Sequence, residues 1–356
     1  MTNRDLVFYR LSRQQLAGTS FTDAAGLVHW MGCIQAQDFA GAKWAIGSRL
    51  GGITDHAVEK EFNEGRFLRT HVLRPTWHFV SPADIRWMLR LTAPKIKSLN
   101  INFHRNLNIT PAILRRSRAV LEKALAGKRF LNRLEISALL KKAKINTDDI
   151  RFSFLLMDAE LDGIICSGPR KGKQFTYALL EERVPPAVAM SRQESLGELA
   201  KRYFMSRGPA TLPDFAWWGG LTLRDAREGL EQCKQILAHE VINGQAYWFS
   251  PGLPAPANAA KAVYLLPAFD EYAIGYKDRS DILPADRAVK TGNGIFKPII
   301  VAGGKMAGTW QRAFTKEGVE VETNVFEPGS KAMEQKVKGM VKRYGKFLEK
   351  NTNHGD

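Results

Sequence analysis

Two rhythms of apolar positions recur along the chain. Residues 4–17 set Leu6, Tyr9, Leu11 and Leu16 among polar neighbours, a helical stripe. Helices are also predicted from about Asp23 to Ile34 and over Ala40–Leu50, and Thr54 caps another over Asp55–Asn63, which stops at Gly65. The period then shortens. Phe67–His71 and Thr76–Val80 are rich in apolar, β-branched and aromatic residues and read as strands about the turn Val72-Leu73-Arg74-Pro75. Ser81-Pro82-Ala83-Asp84 combines a capping serine, a proline at the first helical position and an acid at the third, so a helix follows to about Ser98. Helices beginning at Thr110, at Asn132 and at Asp148 come next, the last ending at Leu161. Strands then fall at Ile164–Cys166 and Gln174–Leu179.

The same grammar returns a third time. Ser191 with Glu194 caps a helix to about Ser206, Asp214–Trp218 is a short helix, and Thr222 with Asp225 opens another. Strands at Ile236–Ile242 and Gln245–Phe249 flank Asn243-Gly244, the strongest short hairpin signal. Two or three helices followed by a hairpin is the order of a winged helix-turn-helix. A Pro/Ala linker follows at residues 251–258. Beyond it, short strands at Ala262–Leu266, Ala273–Tyr276, Pro298–Val301, Lys305–Trp310 and Val319–Val325 suggest a small barrel, closed by a helix over Lys331–Leu348. The expected fold class is α+β: three tandem winged helix-turn-helix units and a small C-terminal β-barrel. The expected boundaries are 1–100, 101–190, 191–256 and 257–356.

Composition adds a partner. The chain carries 52 Lys and Arg against 36 Asp and Glu, a net charge of +16, which attracts polyanions. A 44% hydrophobic and 25% charged content excludes large-scale disorder. No apolar run reaches about 18 residues and no signal-peptide core opens the chain, so neither membrane nor export is expected. Three scattered cysteines fit a reducing, cytoplasmic protein without disulfides.

Candidate chemistry gathers in three places. Arg170-Lys171-Gly172-Lys173 sits at a hairpin turn and can reach phosphates. Arg69, His71, Arg74, Trp77 and His78 crowd the first hairpin, where they would line a nucleotide cleft or simply pack. His71 and His78 lack a third ligand nearby, so no metal is expected. Gln35-Ala36-Gln37-Asp38 follows the second helix; two amides at this spacing can share a pocket, although the motif alone is weak. No phosphate loop, G-x-S-x-G elbow or H-E-x-x-H motif occurs, and Gly292-Asn293-Gly294 lacks a dinucleotide-binding context. No cofactor is expected.

Taken in order, Gln35-Ala36-Gln37-Asp38, Leu68–Val80, Gly168-Pro169-Arg170, Leu265–Tyr272, Gly275–Arg279 and Gly308-Thr309-Trp310 resemble the AlkZ-like (YcaQ-like) winged-helix DNA glycosylase family over essentially the whole chain. The resemblance implies tandem winged helices plus a barrel around duplex DNA. It also implies a crosslink-unhooking glycosylase acting as a monomer without nucleotide cofactor, with Gln35 and Gln37 as its Gln-Φ-Gln signature. Asp38 and His71 stand as catalytic support. Arg69, Arg74, Trp77, His78, Arg170, Lys171, Lys173, Lys277 and Arg279 stand as DNA-binding residues. The alternative is a non-catalytic winged-helix DNA-binding protein, a regulator or architectural factor.

Overall fold

The computed structural model describes residues 2–148, 150–252, 259–283, 297–327 and 329–355. The Gly292-Asn293-Gly294 stretch and most of the Pro/Ala linker lie outside them. Two compact units emerge: residues 1–59 with 196–356, and residues 60–195.

The first unit begins with α1 (Asn3–Arg13), α2 (Ala24–Met31), β1 (Cys33–Gln35) and α3 (Phe39–Gly47), and α4 (Asp55–Glu64) carries the chain out of it. The helix expected to reach Ile34 ends at Gly32, whose positive φ stops it and lets the chain straighten into β1. Asp23 caps α2 and Asp38 caps α3, each by accepting a backbone N–H.

The second unit holds β2 (Leu68–His71), β3 (Trp77–Val80), α5 (Pro82–Asn106), α6 (Pro111–Leu125), β4 (Leu131–Asn132), α7 (Arg133–Lys142), α8 (Arg151–Leu161), β5 (Ile165–Ser167), β6 (Thr176–Leu179) and α9 (Leu180–Arg183). β2 and β3 form an antiparallel hairpin in which Arg69 faces Phe79 and His71 faces Trp77. β4, β6 and β5 make a second small sheet. α8 begins at Arg151, not Asp148, because Asn146 turns back to accept from the Asp148 N–H. Phe152, Phe154, Leu155, Leu121, Leu125, Ile136 and Leu140 form the core beneath α6 to α8.

α10 (Arg192–Arg207) returns to the first unit, followed by α11 (Leu212–Gly219), α12 (Leu223–Cys233) and the hairpin β7 (Ala238–Ile242) and β8 (Gln245–Phe249). Both turn residues have positive φ, Asn243 at 49° and Gly244 at 77°, as a tight hairpin requires. The remainder comprises β9 (Val263–Leu266), α13 (Glu271–Ile274), β10 (Ile299–Ala302), β11 (Lys305–Phe314), β12 (Val319–Val325), α14 (Lys331–Leu348) and β13 (Thr352–Gly355).

Two expectations are corrected here. Ala273–Tyr276 is not a strand: Asp270 accepts from the Tyr272 N–H and starts the one-turn helix α13. The expected barrel is an open five-stranded sheet among the described residues, ordered β13-β12-β11-β10-β9. α14 packs against β9 and β13, so a helix rather than closure covers the apolar face. The indoles of Trp44 and Trp310 donate to the carbonyls of Leu265 (2.7 Å) and Leu266 (2.8 Å), tying α3 and β11 to β9. Gly47 allows α3 to approach the Phe347 ring of α14, where a Cβ would come within 2.5 Å.

Candidate active site and nucleic-acid interface

The Gln-Ala-Gln segment hangs on a buried carboxylate. Glu271, at the first position of α13, is fully buried. Its Oε1 accepts from the Gln35 backbone N–H (2.9 Å). Its Oε2 accepts from Arg207 Nη2 (2.7 Å) and Nε (3.1 Å) and from the Trp218 indole (3.0 Å). Arg207 is itself fully buried; it also donates to the carbonyls of Met31 (2.7 Å) and Cys33 (2.8 Å) and lies 4.4 Å from the Trp218 ring centre. One ion pair thus holds the end of α2 and both ends of β1. Burial without such pairing would be prohibitive for either charge.

Neighbouring contacts repeat the device. Arg49 forks onto Asp270 at 2.8 and 2.9 Å and donates to the Gln14 carbonyl (2.8 Å). Arg10 stacks 4.0 Å from the Tyr276 ring centre and donates to the Pro209 carbonyl (3.0 Å). Burial pushes the Tyr276 hydroxyl up to about 12, so it stays protonated and donates to the Arg207 carbonyl (2.7 Å).

From this anchor the chain passes through fully buried Ala36 to exposed Gln37. Gln35 itself is only 8% exposed, so the two amides sit in different environments. Asp38 is occupied: it caps α3 through the Gly41 N–H (3.0 Å) and receives Arg312 at 3.2 Å. A carboxylate here offsets the positive end of the α3 dipole. Lys277 is exposed, its backbone N–H held by Asp214 (2.9 Å). Arg279 donates to the Ala273 carbonyl (2.7 Å) and lies 5.6 Å from the Trp217 ring centre.

In the second unit, the expected residues assemble into an alternating stack. Arg170 lies 4.9 Å from the Phe175 ring centre, Arg69 4.7 Å from Phe175 and 4.3 Å from Trp77, and the Trp77 and His71 rings are 4.4 Å apart. His71 is buried; its Nδ1 and backbone N–H both meet Oε2 of the buried Glu160. Lys171 pairs with Glu135 at 3.5 Å, whereas Lys173 is exposed. Arg74 is half-buried in the hairpin turn. His78 is fully buried, its ring nitrogen beside the Thr76 carbonyl (2.9 Å).

Sequence reading missed Glu271, Arg207, Glu160 and Phe175. The first belongs to the Asp270-Glu271 pair inside a quoted motif, yet nothing local says that both acids are buried. Burial also pushes the thiols of Cys166 and Cys233 up to about 12, which leaves them poor nucleophiles.

Residues 28–347 match the family model described as DNA glycosylase AlkZ-like. The chain belongs to the AlkZ-like DNA glycosylases, hydrolases of N-glycosyl bonds. A Streptomyces sahachiroi protein named interstrand DNA cross-link repair glycosylase is 22% identical over 323 residues, covering 86% of this chain and 87% of that protein. The structure of Streptomyces sahachiroi DNA glycosylase AlkZ superposes with a TM-score of 0.79 at 20% identity, covering 100% of both chains, so the mixed α+β fold is shared. Among the described residues no helix is long and apolar enough to cross a membrane.

Proposed function

We propose that this chain is a monofunctional glycosylase that hydrolyses the N-glycosidic bond of cationic N-alkylated purines in duplex DNA, and that it unhooks interstrand crosslinks made of such adducts. The carrying observation is the exposed Gln37, clamped between two fixed points: Gln35, tied to Glu271, and Asp38, tied to α3 and Arg312. Pre-organisation of this kind is what an uncharged catalytic group needs.

The chemistry follows from charge. An N-alkylpurine is already a cation, so it departs as a neutral base when the C1′–N bond breaks, and the bonding pair cancels its charge. No general acid is required. The remaining tasks are to stabilise the oxocarbenium-like sugar and to place a water that forms the new C1′–O bond and yields its proton to solvent. Glutamine does not titrate and cannot be a general base. Its carbonyl oxygen can accept from that water, and its dipole can face the cation. Gln37 holds the water in this reading, Gln35 lines the site, and Glu271 and Asp38 fix the segment on either side of Gln37. The units are read as three tandem winged helices and a half-barrel sheet. Arg69, Arg74, Trp77, Arg170, Lys171, Lys173, Lys277 and Arg279 contact the DNA.

A duplex joined by a nitrogen-mustard crosslink between guanines is expected to separate into single strands, one carrying an abasic site, on a denaturing gel after incubation with the protein. Binding without any strand separation or base release would favour the non-catalytic DNA-binding reading instead.

A further inference from the structure

We propose that the C-terminal end of α14, together with the β11–β12 turn, is a second phosphate-binding surface that holds duplex DNA outside the Gln35/Gln37 site. A shallow basin of about 860 Å³ is lined by Lys316, Lys342, Lys346 and Lys350, with Glu317 and Glu349 also on its wall. The four lysines come from separate stretches. Lys342 and Lys346 are one helical turn apart on α14, Lys350 follows its end, and Lys316 projects from the turn between β11 and β12. The fold brings them together. The Val319 N–H donates to the Asn351 carbonyl (3.0 Å), β12 pairs in parallel with β13, and the turn is closed by Thr315 and Gly318.

Ordinary structural needs do not explain this cluster. Among the described residues none of the four lysines makes an ion pair or side-chain hydrogen bond. Complementing the α14 dipole accounts for a cation at Lys346 but not for Lys316. Like charges at i and i+4 are destabilising, so Lys342 and Lys346 repel each other unless an anion lies between them. Their spacing of about 6 Å along the helix suits a row of backbone phosphates. The opposite face of α14 is spent on packing: Val337, Val341, Tyr344 and Phe347 are buried. Four exposed, flexible lysines read charge and not sequence, so the occupant is the DNA backbone.

This inference rests on the protein being a DNA-binding protein, not on its catalytic chemistry. The test is the salt dependence of binding to an undamaged duplex of about 30 base pairs, measured by fluorescence anisotropy for wild type and for K316Q/K342Q/K346Q/K350Q. Each phosphate contact contributes about 0.9 to the slope of log K against log salt, so the quadruple variant is expected to lose roughly 3 to 4 units of slope. Its single-turnover base release at saturating protein is expected to be unchanged, because no substitution touches the Gln35/Gln37 segment. Thermal melting equal to wild type excludes a folding defect, and four single variants that each lose about one unit give the same answer if the quadruple variant fails to fold. An unchanged slope in the quadruple variant, alongside base release by the wild type, overturns the surface and leaves the function standing. A lost slope in the quadruple variant, alongside a wild type that excises nothing, leaves the surface standing and overturns the function. Tighter binding of an RNA duplex than of DNA, with the same slope loss, overturns DNA as the occupant.

Discussion

Replacing Glu271 with alanine is expected to destabilise the protein by about 3–5 kcal/mol, the cost of leaving one member of a buried ion pair without its partner. Arg207 would retain the carbonyls of Met31 and Cys33 but lose its counter-charge, and the Gln35 N–H and Trp218 indole would lose their acceptor. None of these groups can turn to water, because Arg207 and Trp218 are fully buried. Urea unfolding at neutral pH should show a midpoint well below that of wild type. Glu271→Gln keeps the shape and part of the hydrogen bonding, so a smaller loss is expected. In the double variant with Arg207→Ala, the two losses should fall short of additivity, since each removes the same contact. A shift under about 1 kcal/mol for Glu271→Ala would mean that the pair contributes little.

Gln37→Ala carries the second large effect. Removal of one pre-organised polar group facing a developing charge costs typically 10²–10³ in rate, and a loss of that size is expected in single-turnover base release. DNA affinity should change by less than about threefold, because one exposed neutral side chain adds little to binding dominated by phosphate contacts. Stability should be unaffected for the same reason: Gln37 is exposed, and the fixed points on either side of it are other residues. This pattern separates Gln37 from Glu271, whose loss should lower stability and activity together. Unchanged excision by Gln37→Ala would remove it from the chemistry.

Several local signals were legible in the sequence where a cap or turn decided the outcome. α14 runs over the residues its apolar stripe predicts, and the Asn243-Gly244 hairpin forms with both residues at positive φ. Thr222 and Asp225 do close the start of α12. Long-range decisions were not legible. Arg10, Arg49 and Arg207 all count toward the +16, and outward-facing positive charge was the natural reading. All three are buried on partners up to 271 residues away in the chain. Part of the basic character is therefore internal scaffolding. The remainder is displayed, as on Lys173, Lys277 and the α14 lysines. The misread strand at Ala273–Tyr276 has the same origin. The stretch Ala273-Ile274-Gly275-Tyr276 is buried and carries no polar side chain apart from the tyrosine hydroxyl, and periodicity alone cannot tell such a run from a buried strand. The Gln-Ala-Gln motif was visible, whereas the Glu271–Arg207 pair that anchors it was not, because its parts come from positions 207 and 271.

The central claim is that two uncharged amides suffice because the substrate supplies its own charge. It is tested most directly by the ratio of single-turnover release rates for N7-methylguanine and uracil, each placed at the same position of one duplex. Rapid release of the cationic base with no detectable release of uracil is expected. Comparable release of both would contradict the two-amide mechanism, because a neutral leaving group needs an acid that Gln35 and Gln37 cannot provide.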